Sequence, residues 1–348
     1  MRETVPVQTN GGESHLVPFD ASDPRHLAWA VELWSDSVDS ELPLSQSFLQ
    51  FNLTEDAGVA RGGRIALAGG QPVGFVLCSA HPGAPPSMRA DIGWLDAIAV
   101  APSMQREGIG TALLRWAEGW LAGGTSADTG ELEGRNRASR VLVGGSLRPF
   151  TPGVLVNTPA VPFFLENGYK YGADPVEWDV ARNLSDYKPP PLRESSAAAR
   201  PAQPGQEEQL LAFLAREFPG RWHWLAERFL EEGGRISDYM LLWTQEGVHG
   251  ACRLTFEDSR WPIDRFYPFG LPRPWAQLGS IGISAHLRGR GLGLKLLDAG
   301  LRRLHNSGIN GCVIDWTTLL DFYAICGFTP YKEWVQLWKG LGESEVDS

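Results

Sequence analysis

The chain has few cysteines and no long apolar run, and each lack excludes a class of protein. Its four cysteines form no CxxC pair and have no histidine nearby at the spacing of a metal site, so we predict reduced, mostly buried thiols and no bound metal. No stretch of roughly 18 apolar residues could form a transmembrane helix, and the N-terminal residues contain no apolar core of a signal peptide. We therefore expect a cytoplasmic protein.

The chain also lacks an excess of positive charge. Its formal net charge is −10 at pH 7, and nucleic acids and anionic membranes would be repelled by that average field. We therefore expect neither nucleic acid nor a membrane as the main partner. The composition is 43% hydrophobic and includes 14 tryptophans, which need a folded interior or a ligand site to cover them.

One short pattern occurs twice. "QREGIGTALL" (residues 105–114) and "RGRGLGLKLL" (residues 288–297) each follow an apolar run and precede a segment with helical periodicity. The first residues of the two loops, Gln105 and Arg288, are 183 positions apart (288 minus 105). A chain of 348 residues is longer than one hydrophobic core normally serves, so the sequence predicts two tandem domains of one fold.

The order of predicted elements gives the domain boundaries. We predict an N-terminal domain at residues 14–184 and a C-terminal domain at 207–342. The segment 185–206 between them is rich in Pro, Ser and Ala without apolar periodicity, and is predicted to be a linker. Each copy is expected to close with its own last strand, "VEWDVA" (176–181) in the first and "KEWVQLWK" (332–339) in the second.

A glycine-rich turn between a strand and a helix can bind an anion, most often a phosphate, through its exposed backbone N–H groups. A tight turn that only needs a positive φ is the alternative. A Walker loop requires Lys followed by Ser or Thr, which neither copy has. A dinucleotide loop requires GxGxxG, whereas Gly289, Gly291 and Gly293 give GxGxG.

The two loops share the pattern [QR]-x-x-G-x-G, carried by Gln105, Gly108 and Gly110 and by Arg288, Gly291 and Gly293. Together with "FYAICGF" (322–328), this pattern resembles the GCN5-related N-acetyltransferase (GNAT) superfamily. The resemblance covers most of the chain. It implies an α/β fold of the mixed-sheet (α+β) kind, with two tandem GNAT folds, each a mostly antiparallel twisted sheet flanked by helices.

The resemblance also implies an activity. It indicates an acetyl-CoA-dependent N-acetyltransferase that transfers an acetyl group to the primary amine of a small molecule, by direct attack in a ternary complex. A non-catalytic acyl-CoA-binding module and an acetyltransferase acting on protein or peptide amines remain open. The expected partners are acetyl-CoA and a small-molecule amine, and the protein is expected to be a monomer or a homodimer.

In the family, the strand before the loop binds the pantetheine arm of acetyl-CoA and the loop binds its pyrophosphate. The pantetheine residues implied by the resemblance are Ile98, Ala99 and Val100 in the first copy and Ile281, Gly282 and Ile283 in the second. The pyrophosphate residues implied are Gln105, Arg106, Gly108 and Gly110 in the first copy and Arg288, Gly289, Arg290, Gly291, Leu292 and Gly293 in the second.

The reaction requires a base for the ammonium group and an acid for the departing thiolate. The family resemblance assigns the acid to Tyr323, whose side chain is protonated at pH 7 because a phenol ordinarily has a pKa of about 10. Asp315, near the end of the strand "GCVIDW", is the candidate base, with Glu257 and Asp258 as alternatives.

The two copies differ in these groups. Phe164 of "FFLENGY" aligns with Tyr323, and a phenyl ring cannot donate a proton. The second loop carries Arg288 and Arg290, whereas the first has Glu107 close to where a phosphate would lie. We therefore predict that the C-terminal domain is catalytic and binds CoA more tightly, and that the N-terminal domain is degenerate.

Overall fold

The computed structural model describes residues 5–9, 12–38, 40–82, 89–123 and 138–342. The helices are α1 (Pro24–Ser37), α2 (Gln46–Leu53), α3 (Ile109–Leu121), α4 (Ala160–Glu166), α5 (Glu207–Glu217), α6 (Arg221–Glu231), α7 (Leu292–Asn306) and α8 (Leu320–Ala324). The strands are β1 (Val5–Thr9), β2 (Gly12–Pro18), β3 (Ala60–Ala68), β4 (Gln71–Ala80), β5 (Ile92–Val100), β6 (Arg140–Val143), β7 (Val154–Leu155), β8 (Lys170–Asn183), β9 (Ala198–Pro201), β10 (Tyr239–Thr244), β11 (Gly247–Phe256), β12 (Trp275–Ile283), β13 (Gly311–Thr317) and β14 (Thr329–Gly340). Within these ranges, no helix has both the length and the apolar character needed to cross a membrane.

The chain divides into two compact units. The first contains the described residues up to Val176 and the end of the chain from Trp334, and the second is Glu177–Glu333. The sheet of the first unit has the order β1-β2-β3-β4-β5-β6-β14, with β7 also paired to β14. Its neighbours β1 to β5 are antiparallel, whereas β5 and β6 are parallel.

Helix α3 is the main cover of the first sheet. Its apolar residues fall at helical spacing, so one face of the helix can pack on β4 and β5. Leu113, Leu114, Ala117 and Leu121 on that face are all almost completely buried. This packing fixes the start of α3, and with it the first glycine-rich loop, against the end of β5.

The second unit repeats this arrangement. Its sheet has the order β8-β13-β12-β11-β10-β9, in which only the pair β12 and β13 is parallel among the described neighbours. Helix α7 packs on β11 and β12 through Leu296, Leu297, Leu301 and Leu304, which are fully buried. Here too the helix after the glycine-rich loop is held against the strand before it.

The last strands do not close the copies that precede them, which corrects the expectation from sequence. Residues 178–183 of β8 pair with β13 in the second unit. Residues 334–335 and 338–340 of β14 pair with β7 and β6 in the first unit. Alternation of apolar residues predicts a strand but not its neighbour, because both last strands have the same kind of pattern. The boundaries 14–184 and 207–342 therefore do not match the compact units, and as sequence copies they remain a prediction.

The segment predicted as a linker, residues 185–206, is also more ordered than expected. It contains β9, which pairs with β10 at the edge of the second sheet. The Tyr187 hydroxyl donates a hydrogen bond to Asp298 Oδ1 on α7 at 2.9 Å. Pro201 is compatible with β9 because an edge strand can include a residue that donates no hydrogen bond. The segment thus includes an edge strand, and its role as the linker between the two sequence copies remains a prediction.

Candidate functional site

In the first unit, β5 and β6 stop pairing before β5 ends. The parallel register runs from Ile92 opposite Arg140 to Leu95 opposite Val143. Residues 96–100 continue β5 beyond the last pair, with their other edge bonded to β4. We call the opening between this part of β5 and the end of β6 the first wedge. Its β5 edge presents backbone groups that an extended ligand can pair with.

A cavity of about 730 Å³ lies in the first unit at this wedge. That volume is within the range of small-molecule and cofactor sites. Its lining includes every first-copy residue that the sequence assigned to acetyl-CoA: Ile98, Ala99, Val100, Gln105, Arg106, Gly108 and Gly110. The structure thus brings together the strand and loop residues that the sequence treats as two subsites.

The first loop ends in a helix start that can bind an anion. Gly108 is the N-cap of α3 with φ +84°, and no described side chain caps the first turn. Its N–H groups are therefore available at the positive end of the helix dipole. Gln105 Nε2 donates to the Val100 carbonyl at 3.1 Å, which holds the loop to β5. Arg106 is exposed, with its guanidinium 3.6 Å from Glu166.

Asp96 is an extra residue in β5. The register with β4 shifts between Ala97, which is opposite Leu77, and Leu95, which is opposite Cys78. Asp96 therefore forms a β-bulge, a feature that often redirects a side chain next to a functional site. Asp96 is one of the residues that line the cavity of the first unit.

The carboxyl group of Asp96 is buried, with 8% of the residue exposed. Burial disfavours its charged form and raises its pKa to about 6. The hydroxyls of Ser146 and Ser79 and the charge of Arg61 favour the charged form, but they do not offset the burial. At neutral pH the group is largely ionised and close to its pKa, which suits a proton acceptor.

The second unit has an equivalent opening, the second wedge. The parallel register of β12 and β13 ends at Gln277 opposite Val313, although β12 continues to Ile283. In this wedge Gln277 Nε2 donates to Asp315 Oδ1 at 2.6 Å. A Cβ built on Gly279 would lie only 1.9 Å from Gln277 Nε2, so this hydrogen bond lies directly over the β12 backbone.

A buried cation also lies near the candidate base of the second wedge. Burial lowers the pKa of Arg221 to about 10, although the charges of Asp315 and Glu177 act in the opposite direction. Its guanidinium lies 4.5 Å above the centre of the Trp316 ring. Asp315 thus accepts a hydrogen bond from Gln277 and lies near the charge of Arg221.

Comparison with known proteins identifies the family. The family model described as "Acetyltransferase (GNAT) family" matches residues 26–138. Aminoglycoside N(6')-acetyltransferase type 1 from Klebsiella aerogenes is 31% identical over 109 residues, which are 30% of this chain and 69% of that protein. The chain belongs to the GNAT family of acetyltransferases. The predicted enzyme class, an N-acetyltransferase, is confirmed, and members of this family generally use acetyl-CoA.

Solved structures support the tandem fold of this GNAT protein. The glucosamine N-acetyltransferase region of a fungal multi-domain β-N-acetylglucosaminidase matches with a TM-score of 0.74 and 21% identity, over 94% of this chain and 38% of that one. The chain therefore spans well under half of that longer protein. A tandem GNAT protein from the clavulanic acid biosynthesis pathway matches with a TM-score of 0.65 and 17% identity, over 95% of this chain and 100% of that one. These likenesses confirm the predicted fold class.

Tyr323, the acid predicted for this GNAT protein, lies in the core of the second unit. It is 4% exposed, and its ring meets Phe322 edge to face with the ring centres 5.0 Å apart. Burial raises the pKa of Tyr323, and the charge of Asp315 raises it further, while a hydrogen bond with Thr317 lowers it. The structure thus brings the predicted acid and base into one electrostatic environment and keeps the phenol protonated.

The second glycine-rich loop is covered by the segment once predicted as linker. Gly291, with φ +82°, is the N-cap of α7. Arg193 donates to the Gly289 carbonyl at 3.3 Å, and Lys295 Nζ donates to the Ser195 carbonyl and hydroxyl at 3.1 and 2.9 Å. The predicted phosphate-binding residues of this loop differ in exposure. Arg288, Gly289 and Arg290 are exposed, Gly291 and Gly293 are half-buried, and Leu292 is buried.

The predicted pantetheine residues of the second copy lie on β12. Ile281, Gly282 and Ile283 are half-buried beyond its last pair with β13. A Cβ on Gly282 would lie 2.3 Å from the Phe218 ring and 2.9 Å from that of Trp222, so aromatic rings cover the sheet face at that residue.

Sequence reasoning missed Asp96. The available signal was a lone carboxylate in the apolar strand "IGWLDAIAV", because burying a charge is expensive unless it has a use. The 183-residue spacing of the loops also aligns Asp96 with Gly279 of the second copy (279 minus 96). The first copy therefore has a carboxylate where the second has no side chain.

Proposed function

We propose that this chain transfers the acetyl group of acetyl-CoA to a primary amine of a small molecule, and that the reaction takes place in the cavity of the first unit. One observation carries the proposal: this cavity joins the open edge of β5, the uncapped start of α3 and the buried carboxylate of Asp96. A strand edge, an anion site and a base are what binding and acyl transfer require.

The residues present fit acetyl-CoA, which would supply a thioester whose acyl carbon an amine can attack. Backbone groups of residues 98–100 would pair with the amides of the pantetheine arm, and the first N–H groups of α3 would hold the pyrophosphate. Arg106 would exchange its exposed contact with Glu166 for a phosphate. Gly110 lets the Phe163 ring pack close to the start of α3, because a Cβ there would lie 3.3 Å from that ring.

The chemistry of the chain begins at Asp96. Its carboxylate accepts a proton from the ammonium group of the acceptor, which frees the nitrogen lone pair for direct attack in a ternary complex. The new C–N bond replaces the C–S bond, and the nitrogen gives up its second proton to solvent as the amide forms. Asp96 afterwards releases the first ammonium proton to solvent and is again a carboxylate. Phe164, which also lines this cavity, has no proton to donate, so solvent protonates the leaving thiolate in this unit.

The charges around the cavity favour a cationic acceptor. Asp36, Asp96 and Glu166 line it with one basic side chain, Arg106. An acidic concave surface raises the local concentration of cations. The two relatives named above act on an aminoglycoside and on glucosamine, so we propose an amino-sugar acceptor.

The assignment made from sequence, with Tyr323 as acid and Asp315 as base in the C-terminal domain, remains a second proposal. The observation in its favour is that the Asp315 charge acts on a Tyr323 phenol that burial keeps protonated. Both proposals use the same donor and acceptor. They differ in the unit that performs the reaction.

Steady-state release of CoA from acetyl-CoA tests the activity. The acceptor panel should contain glucosamine, an aminoglycoside, a linear polyamine and a lysine-containing peptide. We expect turnover with the amino sugars and none with the peptide. Turnover with the peptide alone would favour a protein acetyltransferase, and CoA binding without turnover on any amine would favour a binding module.

A further inference from the structure

Three potential metal ligands lie together in the second unit, outside the residues assigned to acetyl transfer. Glu246 is in the turn between β10 and β11, His249 is on β11, and His286 is in the short helical turn Ala285–Leu287. One ligand atom from each lies within 4.8 Å of the others. We propose that these three residues form a Zn²⁺ site.

A hydrogen bond holds one ring nitrogen of His249. Its Nδ1 lies 3.0 Å from the hydroxyl of the fully buried Ser284. In the tautomer with its proton on Nδ1, His249 donates this hydrogen bond to Ser284. Its Nε2 carries the lone pair, and histidine ligands in metal sites are oriented by this kind of outer hydrogen bond.

The free nitrogen faces a carboxylate at a spacing suited to an ion between them. His249 Nε2 lies 3.9 Å from Glu246 Oε2, which is too long for a hydrogen bond. Ligands of a tetrahedral zinc, about 2.0–2.2 Å from the metal, are roughly 3.4 Å from each other. His249 is buried and fixed, whereas Glu246 and His286 are exposed and can rotate inward. Small rotamer changes therefore close the site.

The neighbouring charges permit a cation there. Arg216 is the nearby base, but its guanidinium donates to Glu217 Oε1 at 3.1 Å and to the Val248 carbonyl at 3.2 Å. Its charge is thus paired with Glu217, and Glu246 remains to balance the metal. Two imidazoles and one carboxylate suit Zn²⁺ rather than Mg²⁺ or Ca²⁺, which prefer oxygen ligands, and water would be the fourth ligand.

Calorimetric titration of the tag-free full-length chain with zinc chloride tests this site. We expect one Zn²⁺ per chain and no comparable binding of Mg²⁺. The double variant His249→Ala/His286→Ala should bind Zn²⁺ at least 100-fold more weakly. His223→Ala is the matched control, because it removes a different partly exposed histidine that has a glutamate, Glu227, 3.5 Å away. That control should leave the affinity unchanged.

Two further variants distinguish loss of zinc binding from loss of the fold. His286→Ala changes an exposed side chain and should still weaken binding at least tenfold with an unchanged circular dichroism spectrum. Ser284→Ala leaves all three ligands in place and should weaken binding about tenfold, because it frees the His249 ring. Absence of stoichiometric zinc, or equal affinity in the double variant and the wild type, would overturn the site. Neither result bears on acetyl transfer.

Discussion

The two units carry the same strand, loop and helix, yet they differ in the groups that acetyl transfer needs. The first has a cavity at its wedge and a carboxylate on the bulge of β5, but Phe164 in place of a phenol. The second has the phenol of Tyr323, but Gly279 in place of Asp96. A duplicated fold thus keeps its architecture while its chemical groups diverge, which is why function must be argued from each site.

The two wedges also differ in the contacts that lie at their open strand edges. In the first, the β5 edge faces a cavity. In the second, the hydrogen bond from Gln277 to Asp315 lies over the β12 backbone at Gly279, inside the opening. This difference favours the first unit as the acetyl-CoA site.

Removing the candidate base of each wedge should give the largest difference in turnover between the two units. Asp96→Asn should lower kcat at least 100-fold, because a positioned general base contributes about 100- to 10,000-fold, while leaving CoA affinity nearly unchanged. Asp315→Asn is the matched control in the second wedge, and we expect its kcat to stay within threefold of the wild type. Steady-state kinetics and CoA calorimetry measure the two parameters separately.

The pH profile sharpens the same contrast. The wild-type kcat/KM should rise with pH through a pKa near 6, the value that burial gives Asp96. The residual kcat/KM of Asp96→Asn should not show this rise. If Asp315→Asn instead abolishes turnover and Asp96→Asn does not, the reaction belongs to the second unit, as the sequence predicted.

Asp96→Asn should also stabilise the protein at neutral pH. The folded state raises this pKa from 3.8 to about 6, so it binds the proton more tightly than the unfolded state does. Stability therefore falls as pH rises from about 4 to about 6, by roughly 2–3 kcal/mol, and stays lower above that window. The asparagine avoids this loss. Urea unfolding at pH 7.5 and pH 5 should show a gain that narrows at the lower pH.

Asp91→Asn is a control, because its effect on the free energy of unfolding should have the opposite pH dependence. A hydrogen bond from Arg89 lowers the pKa of Asp91, so its charged form is favoured in the folded state. That contribution is present at neutral pH and is lost on acidification. Removing the charge should therefore not stabilise the chain at pH 7.5. A gain there similar to that of Asp96→Asn would show that burial of Asp96 is not the cause.

Much of the fold followed from local patterns. The helix start at Asp23 and Pro24 is where the capping residues place it, with the Asp23 side chain accepting from Arg25 N. The two glycine-rich loops precede α3 and α7 as predicted. The exchange of β8 and β14 could not be predicted, because strand neighbours depend on tertiary contacts that a local pattern does not encode.

The site was only partly predictable. The residues of the first loop and strand could be named from the motif, because backbone geometry fixes where a glycine turn and a strand edge lie. The openness of each wedge could not, since it depends on side chains far apart in sequence, such as Gln277 and Asp315. The motif therefore located both loops but could not rank the two units.

Matched glycine variants test which loop binds phosphate. Gly108 and Gly291 have nearly equal φ angles, +84° and +82°, at equivalent helix starts. Alanine at either position should lower the free energy of unfolding by about 1–2 kcal/mol, because a Cβ is strained in the left-handed region. Only Gly108→Ala should also weaken CoA binding, by about tenfold in calorimetry, because Gly108 lines the cavity. If only Gly291→Ala weakens CoA binding, the cofactor site is in the second unit.

Tyr323→Phe should have the smallest effect on turnover. The phenol is buried among apolar side chains and bonds with Thr317, so its loss should cost about 1 kcal/mol of stability and leave kcat within threefold. Tyr187→Phe is the control, because it removes another buried hydroxyl of the same unit, the one bonded to Asp298. If Tyr323→Phe alone lowers kcat at least tenfold with CoA binding intact, Tyr323 is the acid that the family resemblance implies.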